Sequence, residues 1–197
     1  MLTHKKPNII SALGVVPKKD THELRIIHDC SHPIDNGVNS LYTVQKHSFE
    51  SVDSAIRHLK PNGWLAKVDL KSAYRHVGIH PLDYNVMGLK YKFNKDKQFT
   101  YFYDIRLCFG ASASVGIFHR LTQSVVRIMH RQGHTNVLCY LDDFLMTGDT
   151  QAECQTTMDI MLKLLDKLRF TINWSKVVYP SQNIDFLGIN IDSVATP

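Results

Sequence analysis

The 197-residue chain has no apolar run approaching the roughly 18 residues that a membrane-spanning helix requires, so no membrane partner is expected. Paired cysteines are also missing. Cys30, Cys108, Cys139 and Cys154 show no C-x-x-C spacing, which argues against a disulfide framework or a zinc site. Cys108 and Cys139 lie in apolar segments and read as small core residues, and thiols of this kind suit an intracellular location. Neither a repeat nor a low-complexity tract is present. Lys5-Lys6 before an apolar stretch faintly imitates a signal peptide, but Pro7, Asn8 and Ser11 interrupt it and a short strand is the better reading. No nuclear signal stands out, so cytoplasm and nucleus are not distinguished.

What is present suits one domain, or a domain with a small attached lobe: 44% of the residues are hydrophobic, enough for a proper core. The formal charge is +5 and favours a polyanionic partner such as nucleic acid. Two histidine pairs, His76/His80 and His130/His134, have a spacing of four. The first falls around Gly78 and Pro81 and the second straddles Gly133, so helical ligand geometry is not expected for either.

Residues 13–16 and 24–29 read as a hairpin joined by a polar turn, and 31–40 as loop. Phe49, Val52, Ala55, Ile56 and Leu59 keep helical spacing until Pro61-Asn62-Gly63. A buried strand over 64–70 follows, then a hairpin from 86–93 and 99–105. Val115, Phe118, Leu121, Val125 and Ile128 form one helical face that ends at Gly133. Residues 137–147 read as a hairpin, and Cys154, Met158, Met161, Leu165 and Leu168 as a further helix. Strands near 170–172, 177–179 and 184–191 close the chain. The order predicts an α+β fold with a mostly antiparallel sheet backed by helices.

Within that pattern, Asp142-Asp143 stands between two apolar segments, 137–140 and 144–146. Adjacent charges beside a strand core are costly unless neutralised. Side chains alternate along a strand, so only a hairpin tip lets both carboxylates approach one point. Asp69, at the end of the 64–70 strand, is the candidate third carboxylate. Three such groups suit two divalent ions and nucleotidyl transfer. The plainer reading of Asp-Asp is a solvated turn.

The chain resembles the fingers and palm of a reverse transcriptase. Tyr140-Leu141-Asp142-Asp143 is similar to that family's Y-x-D-D hairpin, and Asp69-Leu70-Lys71-Ser72-Ala73-Tyr74 to its D-x-x-x-A-[FY] strand end. Leu107-Cys108-Phe109-Gly110-Ala111-Ser112 resembles its L-P-F-G-L-S segment. Asn173-Trp174-Ser175-Lys176, Phe186-Leu187-Gly188 and the Lys18-Lys19-Asp20 to Arg25 block resemble further family segments in the same order. Arg25-Ile26-Ile27-His28-Asp29 and Tyr140-Leu141-Asp142-Asp143-Phe144-Leu145 look most like DIRS-like, or other LTR-type, retrotransposons.

The resemblance implies a right-hand polymerase palm with a partial fingers subdomain and a largely absent thumb, with residues 1–60 as fingers and 61–197 as palm. It implies an RNA-directed DNA polymerase using two Mg²⁺ ions, or Mn²⁺, on dNTPs and a primed RNA or DNA template. Asp69, Asp142 and Asp143 would hold metal, and Lys176 would protonate the leaving pyrophosphate. Lys18, Lys19 and Arg25 would meet the triphosphate, and Phe109 and Gly110 would line the nucleotide pocket. Tyr74 would exclude a ribose 2′-hydroxyl; RNA-templated RNA polymerases usually carry an Asp there. Phe186, Leu187 and Gly188 would form a primer-grip-like hairpin. Two departures stand out: Cys108 replaces the usual Pro, and Ala113-Ser114-Val115 replaces Ser-Ala-Pro. With the short C-terminal end, they raise the alternative of an inactive, truncated remnant that only binds nucleic acid. Further polymerase, ribonuclease H or recombinase domains would belong to a parent element.

Overall fold

The computed structural model describes residues 1–17, 23–43, 49, 57 and 59–194. Lys18, Lys19 and most of the expected helix through Val52, Ala55 and Ile56 lie outside these residues. The chain forms two compact units that interleave along the sequence. The first comprises Met1–Lys46 and Tyr74–Phe118, the second His47–Ala73 and His119–Pro197.

In the first unit, β1 (Leu2–Thr3), β6 (Thr100–Tyr103) and β5 (Gly88–Tyr91) form an antiparallel sheet in that order. The expected hairpin over 86–105 is therefore present but shorter, and an N-terminal strand that the sequence pattern did not suggest adds to its edge. β2 (Ala12–Pro17) pairs antiparallel with β3 (Leu24–Asp29), from Ala12 opposite Asp29 to Pro17 opposite Leu24. A small core of Cys30, Met87, Cys108 and Ala111 packs with Val38, Ile79 and Val86.

The second unit is built on an antiparallel sheet in the order β7 (Val137–Tyr140), β8 (Asp143–Gly148), β4 (Trp64–Asp69), β9 (Val178–Ser181). β4 and β8 are central strands, which accounts for their near-continuous apolar sequences. Alternation sends Leu65, Lys67 and Asp69 to one face of β4 and Ala66 and Val68 to the other. Leu65 and Leu145 join Leu138, Ile184, Phe186 and Ile191 in one core cluster. Ile184, Phe186 and Ile191 come from the hairpin β10 (Asn183–Phe186) and β11 (Ile189–Asp192). Its two-residue turn has positive φ at Leu187 (52°) and Gly188 (81°), the twist-matched form that favours glycine. The expected strand over 170–172 is reduced to one bridge, Ile172 opposite Leu70: the Phe170 N–H donates back to the Leu165 carbonyl on one side, and the turn Trp174–Lys176 follows on the other.

Two long helices have readable ends. α1 (Ser112–Arg131) passes from the first unit into the second. At its start, the Asn39 side chain accepts from the Ser112 backbone N–H at 2.8 Å. It ends in a Schellman turn: His134 N–H donates to the Met129 carbonyl and Gly133 N–H to the His130 carbonyl, with Gly133 at φ 91°. α2 (Gln151–Lys167) is capped by Thr150, whose hydroxyl accepts from Glu153 N–H. It buries Cys154, Thr157, Met158, Met161 and Leu165 and packs across β4, β8 and β9. Among the described residues, no helix is long and apolar enough to cross a membrane.

Leu145 is fully buried at the centre of this core. Leu145→Ala should lower unfolding stability by about 2–5 kcal/mol, because transfer and cavity terms add. Chemical denaturation of parent and variant reads the difference, and a loss near zero would contradict this packing.

Candidate active site

Sheet register brings the carboxylates together. Asp69, the last residue of β4, lies opposite Asp143, the first of β8, and Tyr140 also pairs with Asp143. The β7–β8 turn is therefore Leu141-Asp142, two residues long. Leu141 has φ 53°, a region that glycine usually supplies at this turn position. A β-branch-free side chain holds it at a cost of about 1 kcal/mol or more. Two contacts brace the tip: the Asp142 carbonyl accepts from Leu70 N–H at 3.1 Å, and Cys139 Sγ lies 3.2 Å from the Leu141 carbonyl.

Three like charges at one sheet end require compensation. Asp69 is only 3% exposed. Its Oδ1 accepts from Asn173 Nδ2 at 2.8 Å, and its Oδ2 pairs with Lys176 Nζ at 3.1 Å. The Asn173 backbone N–H also donates to the Asp69 carbonyl at 2.9 Å. Asn173 precedes the 3-10 turn Trp174–Lys176 and Lys176 ends it, so one short segment supplies both partners. The Asp69 contact raises the Lys176 ammonium pKa, keeping it charged. Asp143 has less help. Burial, then the charges on Asp142 and Asp69, push its carboxyl up to about 6. An all-oxygen donor set with one carboxyl held this high fits a divalent cation of the hard class. The sequence reading found Lys176 but assigned no role to Asn173. The signal available was its place three residues before Lys176, beside a turn.

Of the other expected site residues, Arg25, Tyr74, Phe109 and Gly110 lie in the first unit and Phe186, Leu187 and Gly188 in the second. Tyr74 packs against Phe109 at 4.8 Å and Phe118 at 5.5 Å between ring centroids. The Arg25 guanidinium lies 4.6 Å from the Phe109 centroid, a cation–π distance. Gly110 has φ 110°, and a Cβ there would collide with the His28 carbonyl, so glycine is required by both conformation and space. Phe186 is 1% exposed and anchors the β10–β11 hairpin in the core of the second unit, with Leu187 packed beside it.

An antiparallel palm-type sheet backed by helices, with acidic residues at a hairpin tip, is the architecture of template-directed polymerases. The chain belongs to the reverse transcriptase (RNA-dependent DNA polymerase) family, whose pattern matches residues 16–191. It is 24% identical over 147 residues to an enzymatic polyprotein of Cestrum yellow leaf curling virus, covering 74% of this chain and 21% of that protein. A foamy viral protease-reverse transcriptase in complex with double-stranded DNA superposes with a TM-score of 0.77 at 15% identity, over 98% of this chain and 31% of that one. The same kind of protein in complex with an RNA/DNA hybrid gives 0.75 at 15% identity, over 98% and 24%. Prototype foamy virus protease-reverse transcriptase gives 0.73 at 18% identity, over 96% and 23%. The chain thus spans about a fifth to a third of the length of these relatives.

The raised Asp143 pKa has a definite sign. The fold holds this proton more tightly than the unfolded chain, so its stabilising contribution is present below about pH 4 and lost as pH rises to about 6. In chelator at pH 7, Asp143→Asn should therefore melt above the parent, with the gap growing between about pH 4 and 6. Added Mg²⁺ should raise the parent more than the variant. Thermal melts in both conditions check this, and a variant that melts lower in chelator at pH 7 would contradict it.

Proposed function

We propose that this chain is the fingers and palm portion of an RNA-directed DNA polymerase of a retroelement, extending a primer 3′-hydroxyl with dNTPs. The observation that carries the reading is the meeting of Asp69, Asp142 and Asp143 at one sheet end. Two Mg²⁺ ions, or Mn²⁺, would be held by these three carboxylates. Bound there, they would supply Lewis-acid activation of the hydroxyl and neutralise charge on the leaving pyrophosphate.

The chain's own residues do the rest. Asn173 and Lys176 fix the Asp69 carboxylate, and the charged Lys176 is suited to give its proton to the departing pyrophosphate oxygen. Arg25, with Lys18 and Lys19, meets the triphosphate; its planar fork suits phosphate oxygens. Tyr74 and Phe109 present aromatic surface to the sugar, and Tyr74 excludes a 2′-hydroxyl. Phe186, Leu187 and Gly188 support the primer end. In functional terms, residues 1–60 act as fingers and 61–197 as palm, a division that cuts across the two compact units. The nucleic acids bound by the foamy viral relatives support a template–primer partner. The wording of 25–29 and 140–145 favours a DIRS-like or other LTR-type element as the source.

Single-nucleotide primer extension on an RNA template with Mg²⁺ tests the reading. Asp142→Asn should slow extension by about a hundredfold or more, the rate equivalent of several kcal/mol of lost charge stabilisation. Equal extension by parent and variant would overturn it. Tyr74→Val should raise rNTP incorporation relative to dNTP by about tenfold or more. Unchanged rejection of rNTPs would reduce Tyr74 to packing.

A further inference from the structure

The first compact unit holds a second group of metal-ligating atoms, of softer chemistry than the carboxylates. His28, Cys30 and Cys108 are all buried, at 3%, 0% and 3% exposure, and their donor atoms lie within 4.8 Å of one another. The cysteines are free thiols with Sγ atoms 3.8 Å apart. That is far beyond a disulfide bond and equal to the sulfur–sulfur edge of about 3.8 Å expected when two thiolates bind zinc tetrahedrally at about 2.3 Å.

We propose that His28, Cys30 and Cys108 form a structural zinc site that joins the end of β3 to the segment leading into α1. His28 lies near the end of β3 and Cys30 in the turn that follows it, so the two are close in the chain. Backbone contacts hold the pieces in place: His28 N–H donates to the Phe109 carbonyl at 3.0 Å, and Asn39 N–H donates to the Cys30 carbonyl at 2.9 Å. Met87, Ala111, Val38, Ile79 and Val86 pack around the thiols.

The imidazole supplies the independent observation. His28 is buried, and neither ring nitrogen makes a hydrogen bond of ordinary length; its one ion-pair contact is a long one, to Asp104. A buried imidazole whose nitrogens lack close hydrogen bonds is costly, and coordination of one of them lowers that cost. The group nearest to Nδ1 is the Asp104 carboxylate at 3.6 Å. Asp104 is itself held by Arg75 Nη1, 2.7 Å from both its oxygens, and by Arg106 N–H at 3.2 Å. This arrangement sets a fixed carboxylate beside the imidazole, as carboxylates do when they orient zinc-binding histidines. Binding releases to solvent the protons still held by the two cysteines and by the ligating nitrogen of the imidazole. Two thiolates and a neutral imidazole then balance the 2+ charge. Two thiolates and an imidazole select zinc over magnesium. The site secures the segment that carries Phe109 and Gly110.

Metal analysis of the reduced full-length chain tests this, with Co²⁺ as a spectroscopic probe. We expect about one zinc per chain and, with Co²⁺, an intense thiolate charge-transfer band. Cys30→Ser and Cys108→Ser should each lose both signals, whereas Cys154→Ser keeps them. Asp104→Asn should weaken zinc binding about tenfold to a hundredfold while leaving the thiolate band at saturating Co²⁺. The proposal is overturned if the reduced parent, with native far-ultraviolet circular dichroism, takes up neither metal. It is equally overturned if the Cys30→Ser/Cys108→Ser double variant keeps the cobalt band, or if mass analysis finds a Cys30–Cys108 disulfide in freshly purified protein.

Discussion

Repulsion among Asp69, Asp142 and Asp143 is the constraint around which the second unit is organised. A carboxyl pushed up to about 6 by burial and two like-charged neighbours marks a place where folding alone leaves an unfavourable charge cluster. The sheet tolerates it because β4 and β8 are buried on both sides and fix the register. Asn173 and Lys176 then remove part of the cost by engaging Asp69 from one short turn. Strain at Leu141 is of the same kind: a backbone that an ordinary residue resists is held by pairing on either side.

The first unit meets a different problem with different chemistry. Arg25, Tyr74, Phe109 and Phe118 are joined by ring and cation–π contacts, so the expected nucleotide-contacting groups form one packed set. Gly110 has no room for a side chain because the His28 backbone lies against it. Just behind that contact, His28, Cys30 and Cys108 bring soft donors together, as the carboxylates bring hard ones together in the second unit. Oxygen donors suit a cation that exchanges with substrate, and sulfur and nitrogen donors suit one that stays.

Much was legible in the sequence because local patterns carry it. Apolar alternation and helical spacing marked most of the strands and both long helices, and Gly133 marked a real helix end. The Asp142-Asp143 hairpin was readable because two adjacent charges within apolar strands have few low-energy placements. The bridge at Ile172, the strand at residues 2–3 and the shortened β5 and β6 were not readable. Short strands depend on which edge is free, which is a property of the assembled sheet.

The cysteines show the division most clearly. By spacing alone, Cys30 and Cys108 are single thiols 78 residues apart, and Cys108 is a replaced proline. Their meeting with His28 depends on the Phe109–His28 backbone contact and on the packing of the 74–118 segment against the first strands. Sequence by itself determined which residues are acidic, apolar, aromatic or soft, and where strands and helices start and stop, because those follow from neighbours within a few positions. Only the tertiary structure decided which of these groups meet, because contacts between distant residues are set by sheet register and core packing.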